Sequence, residues 1–143
     1  MTALDALQAT LAAEHAAVYA YGDVGAHTSQ SAEPELFATV SLLYRAHRGR
    51  RDQLELMVAD AGGVPVPAAA AYTLPRRLDT PSAVRRHALA LERTSAEVYA
   101  ALVAGTTGTD RAWAVAALGE AAVARVLLGG APETFPGAPE LDA

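Results

Sequence analysis

Apolar residues recur every three or four positions along much of the chain, which is the period of an amphipathic helix. In the first such segment the apolar stripe runs through Leu4, Leu7, Leu11, Val18 and Tyr21. Three further segments repeat the pattern. Alanine supplies much of the 52% hydrophobic content, and it has the highest helix propensity of any residue. The pattern therefore predicts an all-α fold of four helices.

Local signals place the ends of these helices. Thr2 begins the first helix, with Asp5 three residues later in the spacing of a capping box, and the helix runs to about His27. Pro34 suits the first turn of a second helix. We expect that helix to end at Gly62–Gly63, the third to run from Thr80–Pro81 to just before Gly105, and the fourth to run from about Thr109–Asp110 to Gly129–Gly130. The tail, residues 131–143, carries prolines and is predicted to be irregular.

The lengths of the connections predict the topology. The first and third connections are short, so helices one and two, and helices three and four, should be antiparallel neighbours. The second connection lies between Gly62 and Asp79, and in extended form it reaches up to about 60 Å. A helix of this size is only about 42 Å long. We therefore predict a single domain, 1–143, with two antiparallel helical hairpins joined by a long crossover in a ferritin-like four-helix bundle.

One ionisable residue lies near the middle of each predicted helix, on the stripe expected to face the core. These residues are Glu14, His47, Glu92 and Glu120. Burying a charge costs on the order of several kcal/mol unless the charge is paired or bound to metal. The four residues therefore predict a metal site, the remnant of one, or a closed hydrogen-bond network. In the closed network, Arg48 and Arg51 are candidate partners because both lie within about one turn of His47.

The spacing of these residues is an incomplete version of a known metal-binding pattern. Ferritin-like carboxylate proteins use a Glu from each of two helices and Glu-x-x-His from each of the other two. Here Tyr44 precedes His47 where a glutamate would stand, and Val123 follows Glu120 where a histidine would stand. We therefore expect no bound cofactor, with a single iron or manganese ion as the alternative.

Five segments of the sequence carry a resemblance to a known family: LAAEHAAVYAYG (11–22), YRAHRGRRD (44–52), AYTLP (71–75), LERTSAEVYAALV (91–103) and FPGAPE (135–140). Together they resemble an actinobacterial ferritin-like family known as domain of unknown function 4439. The resemblance implies a ferritin-like bundle and no assigned activity. Our interpretation is a non-catalytic binding or interaction module, and the alternative is a metal-dependent oxidoreductase of the ferritin-like type.

Composition limits the binding partners and the cellular compartment that we expect for this protein. The net charge of -5 gives no reason to expect binding to nucleic acid, and the absence of Cys excludes disulfides and thiolate metal sites. The sequence shows neither a signal peptide nor a long apolar run, so we expect a cytoplasmic protein that does not contact membranes.

The predicted surface features of the protein favour a homodimer. Closed two-fold dimers are the commonest oligomers. An alanine stripe on the first helix (Ala13, Ala17 and Ala20) should be exposed and should allow close approach of a second copy. Phe135 is an isolated aromatic in the tail, and we expect it to be docked on the bundle or on a neighbour.

Overall fold

The computed structural model describes residues 1–141, and within that range the protein is all-α, with four long helices and no strand. Asp142 and Ala143, the end of the predicted tail, lie outside the described residues. The helices are α1 (Ala3–Ala26), α2 (Pro34–Asp60), α3 (Pro81–Gly105) and α4 (Gly108–Leu127), and a short 3-10 turn follows at Pro139–Leu141. None of these helices is both long enough and apolar enough to cross a membrane.

The helix ends follow the local chemistry of the sequence. The capping box at the start of α1 is confirmed: the Thr2 hydroxyl accepts from the Asp5 amide, and the Asp5 carboxylate accepts from the Thr2 amide. Thr80 caps α3 through the amide of Ala83, as the sequence predicts. Gly105 is the last residue of α3 instead of the residue after it, and α4 begins at Gly108, slightly before the predicted position.

Helix α1 packs mainly against α2 and α3, and α3 packs mainly against α4, whereas α2 and α4 touch only lightly. The buried residues form two apolar clusters at opposite ends of the bundle. One cluster joins the start of α1 to the ends of α2 and α3 and the start of α4; its largest fully buried members include Leu7, Leu11, Leu54, Tyr99 and Leu102. The other cluster joins the remaining ends, with Tyr21, Val24, Leu36, Val40 and Leu128 among its members.

The long connection between α2 and α3 is held against α1. The Gln8 side chain donates to the carbonyl of Val64 (2.7 Å) and accepts from the amide of Val66 (2.9 Å). Nε2 of His15 lies 2.9 Å from the Val66 carbonyl oxygen. Further along, Tyr72 packs on Tyr19 with 5.3 Å between ring centroids. These contacts fix the crossover over the outer side of α1 for several turns.

The structure places the predicted alanine stripe of α1 differently. Ala17 and Ala20 are buried and Ala13 is half-buried, because α3 and the crossover pack on that side of α1. The prediction that this stripe is an exposed dimer surface is therefore wrong.

Two contacts near Phe135 fasten the tail to the bundle. Phe135 itself is 45% exposed, and its docking on a neighbour stays a prediction. Glu133 forms an ion pair with Arg125. Gly137 adopts a positive φ of 74° and lies so close to α3 that a Cβ there would overlap the backbone of Ala96. Glycine is required at this position for both reasons.

Candidate functional site

Three of the four predicted polar residues meet between the two apolar clusters. Glu14 of α1, His47 of α2 and Glu92 of α3 are all buried, with His47 and Glu92 fully shielded from solvent. The imidazole of His47 lies between the carboxylates: Nδ1 is 2.6 Å from Glu14 Oε2, and Nε2 is 3.0 Å from Glu92 Oε1. We call this group, together with the side chains that hydrogen-bond or ion-pair with it, the polar layer.

Two buried tyrosines also donate hydrogen bonds to these carboxylates. The Tyr21 hydroxyl donates to Glu92 Oε1 at 2.5 Å, and the Tyr99 hydroxyl donates to Glu14 Oε1 at 2.6 Å. Burial and the neighbouring carboxylates raise the pKa of both tyrosines far above the usual value, so both stay protonated donors. The Tyr21 ring also stacks on His47, with 4.9 Å between ring centroids.

The polar layer is closed on one side by a buried arginine. Arg50 is 6% exposed; its Nε lies 3.5 Å from Glu14 Oε1, and its Nη1 lies 3.5 Å from Glu120 Oε2. The guanidinium also lies over the Tyr99 ring, 5.5 Å from the centroid. At these distances Arg50 compensates charge without making short hydrogen bonds to either carboxylate.

Glu120 lies at the height of the polar layer but outside the core, with a side chain that is 64% exposed. Its prediction as a core residue is wrong. The buried stripe of α4 consists of Ala114, Ala117, Ala121 and Ala124, so the helix is turned away from the orientation that the sequence suggested. Because α4 is apolar on nearly every side, its pattern does not distinguish these orientations.

The predicted arginine partners are also wrong. Arg48 is exposed and lies over the Tyr44 ring, 5.7 Å from the centroid, and Arg51 pairs with the adjacent Asp52. Arg50 was not among the predicted partners. The signal was present: Arg50 follows His47 by three positions and precedes Leu54 by four, which is the spacing of the buried stripe.

The charges within the core of the layer balance. A carboxylate only accepts hydrogen bonds, so both ring nitrogens of His47 donate and the ring is a positively charged imidazolium. Burial by itself lowers the pKa of His47, but the hydrogen bonds and charges of Glu14 and Glu92 outweigh it, and the net pKa is raised. Two carboxylates thus face two cations, His47 and Arg50.

This donor set does not fit an iron or manganese ion. A histidine binds metal through a ring nitrogen that carries no proton, and both nitrogens of His47 are used as donors to carboxylates. Within residues 1–141, no three histidine or acidic side chains are grouped so that they could hold a metal ion. One acceptor is left over: Glu92 Oε2 is buried and has no hydrogen-bond partner among the described residues.

Fold and site together define an all-helical protein with a buried, charge-balanced polar layer across three of its four helices. The chain belongs to the family described as Domain of unknown function (DUF4439), whose model matches residues 6–140. It is also similar to a solved structure, a conserved hypothetical protein, rv2844, from Mycobacterium tuberculosis. The two share 33% identity with a TM-score of 0.80, over 89% of this chain and 95% of the other. No curated protein matches the chain.

Proposed function

We propose that this protein is a non-catalytic binding or interaction module built on a ferritin-like bundle, and that its polar layer is a metal-free ionic network. One observation carries the proposal: both ring nitrogens of His47 face carboxylate oxygens, which leaves no lone pair for a metal. Two tyrosine hydroxyls bind the same carboxylates, so the groups that would form a metal site are occupied by one another.

The ferritin-like arrangement is supported by the packing of the helix ends. A Cβ at Gly63, just after α2, would lie 2.7 Å from Leu4 Cδ1 at the start of α1, so these two helices run in opposite directions. A Cβ at Gly130, just after α4, would lie 2.8 Å from Leu89 Cδ2 in the first half of α3. The crossover connects the two pairs along α1. These contacts support the hairpin, crossover and hairpin order that we propose, which is the order of ferritin-like bundles.

The polar layer has a structural role in this proposal. Alanine-rich helices have smooth surfaces, so apolar packing alone defines their relative heights only weakly. A buried ionic group is satisfied at one height and is left with unpaired charge at any other, which is strongly unfavourable. We infer that Glu14, His47 and Glu92 hold α1, α2 and α3 at a fixed relative height, at some cost in total stability.

The interaction surface in this proposal is the outer face of α4. Along this helix an exposed face is apolar or small at every position except Glu120, and Val123 on it is 59% exposed. The face borders a groove between α2 and α4 in which Leu42 is also exposed. We call it the α4 face; its apolar members are Ala112, Val115, Ala116, Gly119, Val123, Val126 and Leu127.

A second copy of the chain is the partner that suits this face. Ala112, Ala116, Gly119, Val123 and Val126 are spaced alternately by four and three positions, the spacing of a helix that packs along a partner helix. In an antiparallel pair centred on Gly119, Val115 would meet Val123 of the partner subunit, and Ala112 would meet the partner's Val126. The residues at the centre are small, which permits close approach. The face is thus self-complementary, as a two-fold interface requires.

Metal analysis tests the central proposal. Untagged protein purified without chelators should contain far less than one iron or manganese per chain after incubation with either ion and desalting. The alternative function, a metal-dependent oxidoreductase, draws its support from the unpaired Oε2 of Glu92. Stoichiometric metal that is lost in Glu92→Gln but retained in Glu97→Gln, an exposed site on the same helix, would establish that alternative.

A further inference from the structure

A groove of about 530 Å³ lies on the surface between the second half of α1 and the first half of α2. Tyr21 and Val40, which are nearly fully buried, contribute to its lining. Phe37 and Tyr44 of α2, both half-buried, also line it. The volume lies within the range of about 300–1,000 Å³ that is usual for small-molecule sites. The groove therefore offers aromatic and aliphatic surface to a ligand of ordinary size.

Two glycines of α1 leave this groove open. Gly22 lines it, and a Cβ at that position would meet nothing within 4 Å. Gly25, one turn later, also lines it, and a Cβ there would lie 3.9 Å from Val40 Cγ1, an ordinary contact. Glycine inside a helix is less stable than alanine. The packing of α1 requires glycine at neither position, so these residues widen the groove at some cost to the helix.

The charged residue of the groove is an arginine. Arg45 lines the groove and is exposed, and among the described residues no acidic side chain lines it. Arg48, one turn later on α2, lies over the ring of Tyr44 and adds a second positive charge beside this wall. An arginine side chain has many rotamers, so the exposed guanidinium of Arg45 can turn onto a molecule in the groove. The ion pairs of acidic side chains within residues 1–141 use other arginines, namely Arg50, Arg51, Arg93 and Arg125.

We propose that this groove binds a small carboxylate with a flat aromatic body. The aromatic body would pack against Phe37 and Tyr44, whose rings supply large apolar contact surfaces. The carboxylate would accept two hydrogen bonds from the guanidinium of Arg45, the arrangement that arginine forms with planar carboxylates. Ser41, which also lines the groove, offers a hydroxyl on the same wall. The groove is separate from the α4 face, and its occupancy does not depend on dimer formation.

The probe for this site is 2-naphthoate, and its uncharged analogue is 2-naphthamide. The chain has two phenylalanines, Phe37 in the groove and Phe135 in the tail, so labelling the full chain with fluorophenylalanine gives two NMR signals. Titration with 2-naphthoate should shift the signal of Phe37 and leave that of Phe135 in place. Binding of 2-naphthoate should be about tenfold tighter than binding of 2-naphthamide, because the amide loses the charge-assisted contact with Arg45.

Matched substitutions test the charge and the space separately. Arg45→Gln should weaken binding of 2-naphthoate about tenfold and leave that of 2-naphthamide unchanged, whereas Arg86→Gln, at an exposed position on α3, should change neither. Gly22→Leu should fill the groove and abolish binding of both probes. Gly49→Leu makes the same change at another exposed helix glycine with open space around it, and it should bind as the wild type does. Circular dichroism confirms the helix content of each variant.

The proposal fails if 2-naphthoate at millimolar concentration leaves the Phe37 signal in place or shifts the Phe135 signal equally. It also fails if 2-naphthamide binds as tightly as 2-naphthoate, or if folded Gly22→Leu binds as the wild type does. Full affinity for 2-naphthoate in Arg45→Gln would contradict the role of that guanidinium. Tighter binding of 2-naphthyl phosphate than of 2-naphthoate would show that the site selects a phosphate, against the carboxylate proposed.

Discussion

His47 is the residue on which the buried charges depend. Its two ring nitrogens join carboxylates from two different helices, and its ring is stacked on Tyr21. Removing one member of a buried ion pair leaves the other uncompensated, which typically costs about 3–5 kcal/mol. The loss of His47 would leave two buried carboxylates with Arg50 as their remaining cation.

We predict that His47→Gln lowers the free energy of unfolding by about 3–5 kcal/mol at pH 6. The wild type should lose stability as the pH rises above the ordinary histidine pKa of about 6.5, because the raised pKa of His47 makes the folded state bind more protons than the unfolded state. This contribution is complete below 6.5 and disappears as the pH passes the folded-state pKa. Urea denaturation at several pH values measures the slope.

The difference in pH slope between His47→Gln and the wild type isolates the contribution of His47 to the pH dependence of stability. Burial lowers the pKa of His87, so that residue contributes a slope of the opposite sign in both proteins. His27→Gln, at an exposed position just after α1, serves as the control and should keep the wild-type slope. An equal pH slope in His47→Gln and the wild type would contradict the prediction.

For single residues, burial could be predicted from the sequence where a polar residue interrupts a clear apolar stripe. Glu14 stands among Leu7, Leu11 and Tyr21, so its burial could be predicted. Arg50 also lies on the buried stripe, but an arginine within an arginine run is ordinarily solvated. Tyr21 and Tyr99 lie one or two turns from the carboxylates they bind, and their hydroxyl partners depend on how the helices meet, which spacing within one helix does not specify.

Among the helices, α4 differs most from its prediction. Its buried stripe is entirely alanine, and its larger valines lie on the exposed side. Burial of a larger apolar side chain is normally more favourable than burial of alanine. The sequence pattern therefore favoured an orientation with Glu120 on the buried side. The observed orientation is consistent with α4 having a second packing partner.

Two helix glycines should respond in opposite ways to the same substitution. Gly49 lies inside α2, and a Cβ there would meet nothing within 4 Å, so Gly49→Ala should raise the free energy of unfolding by about 0.5–1 kcal/mol. Gly105 lies where α3 approaches α1, and a Cβ there would be 2.9 Å from Ala6 Cβ. Gly105→Ala should destabilise by about 1–3 kcal/mol.

Thermal and urea denaturation of both variants check this pair. Gly22 of α1, which also has open space around it, provides a second position at which alanine should stabilise. If Gly105→Ala were as stable as Gly49→Ala, the close approach of α1 and α3 would be incorrect.

For the molecule as a whole, the all-α class, the number of helices and the approximate helix ends followed from periodicity and capping signals. The crossover role of the α2–α3 connection stays a prediction from its length, and the structure shows what holds this connection against α1: Gln8 and His15 bind backbone groups of Val64 and Val66. The position of the exposed apolar surface could not be predicted from the sequence. On alanine-rich helices it depends on which faces α3 and the crossover cover.

We predict that the wild type is a dimer at micromolar concentration and that Val123→Arg is a monomer, because the substitution would bury charge within the α4 face, one turn from Gly119. Val64→Arg, in the crossover, introduces the same charge at a position that is 86% exposed and should remain dimeric. Size-exclusion chromatography with light scattering distinguishes these states. A monomeric wild type, or a dimeric Val123→Arg, would show that the α4 face does not join two copies.

The protein contains one tryptophan, and its position gives the polar layer an optical reporter. The ring of Trp113 meets the Tyr99 ring edge-on, 5.8 Å between centroids, and the Tyr99 hydroxyl in turn binds Glu14. A rearrangement of the buried charges must therefore move the immediate neighbour of the indole. Intrinsic fluorescence can therefore report a change in the polar layer in unlabelled protein.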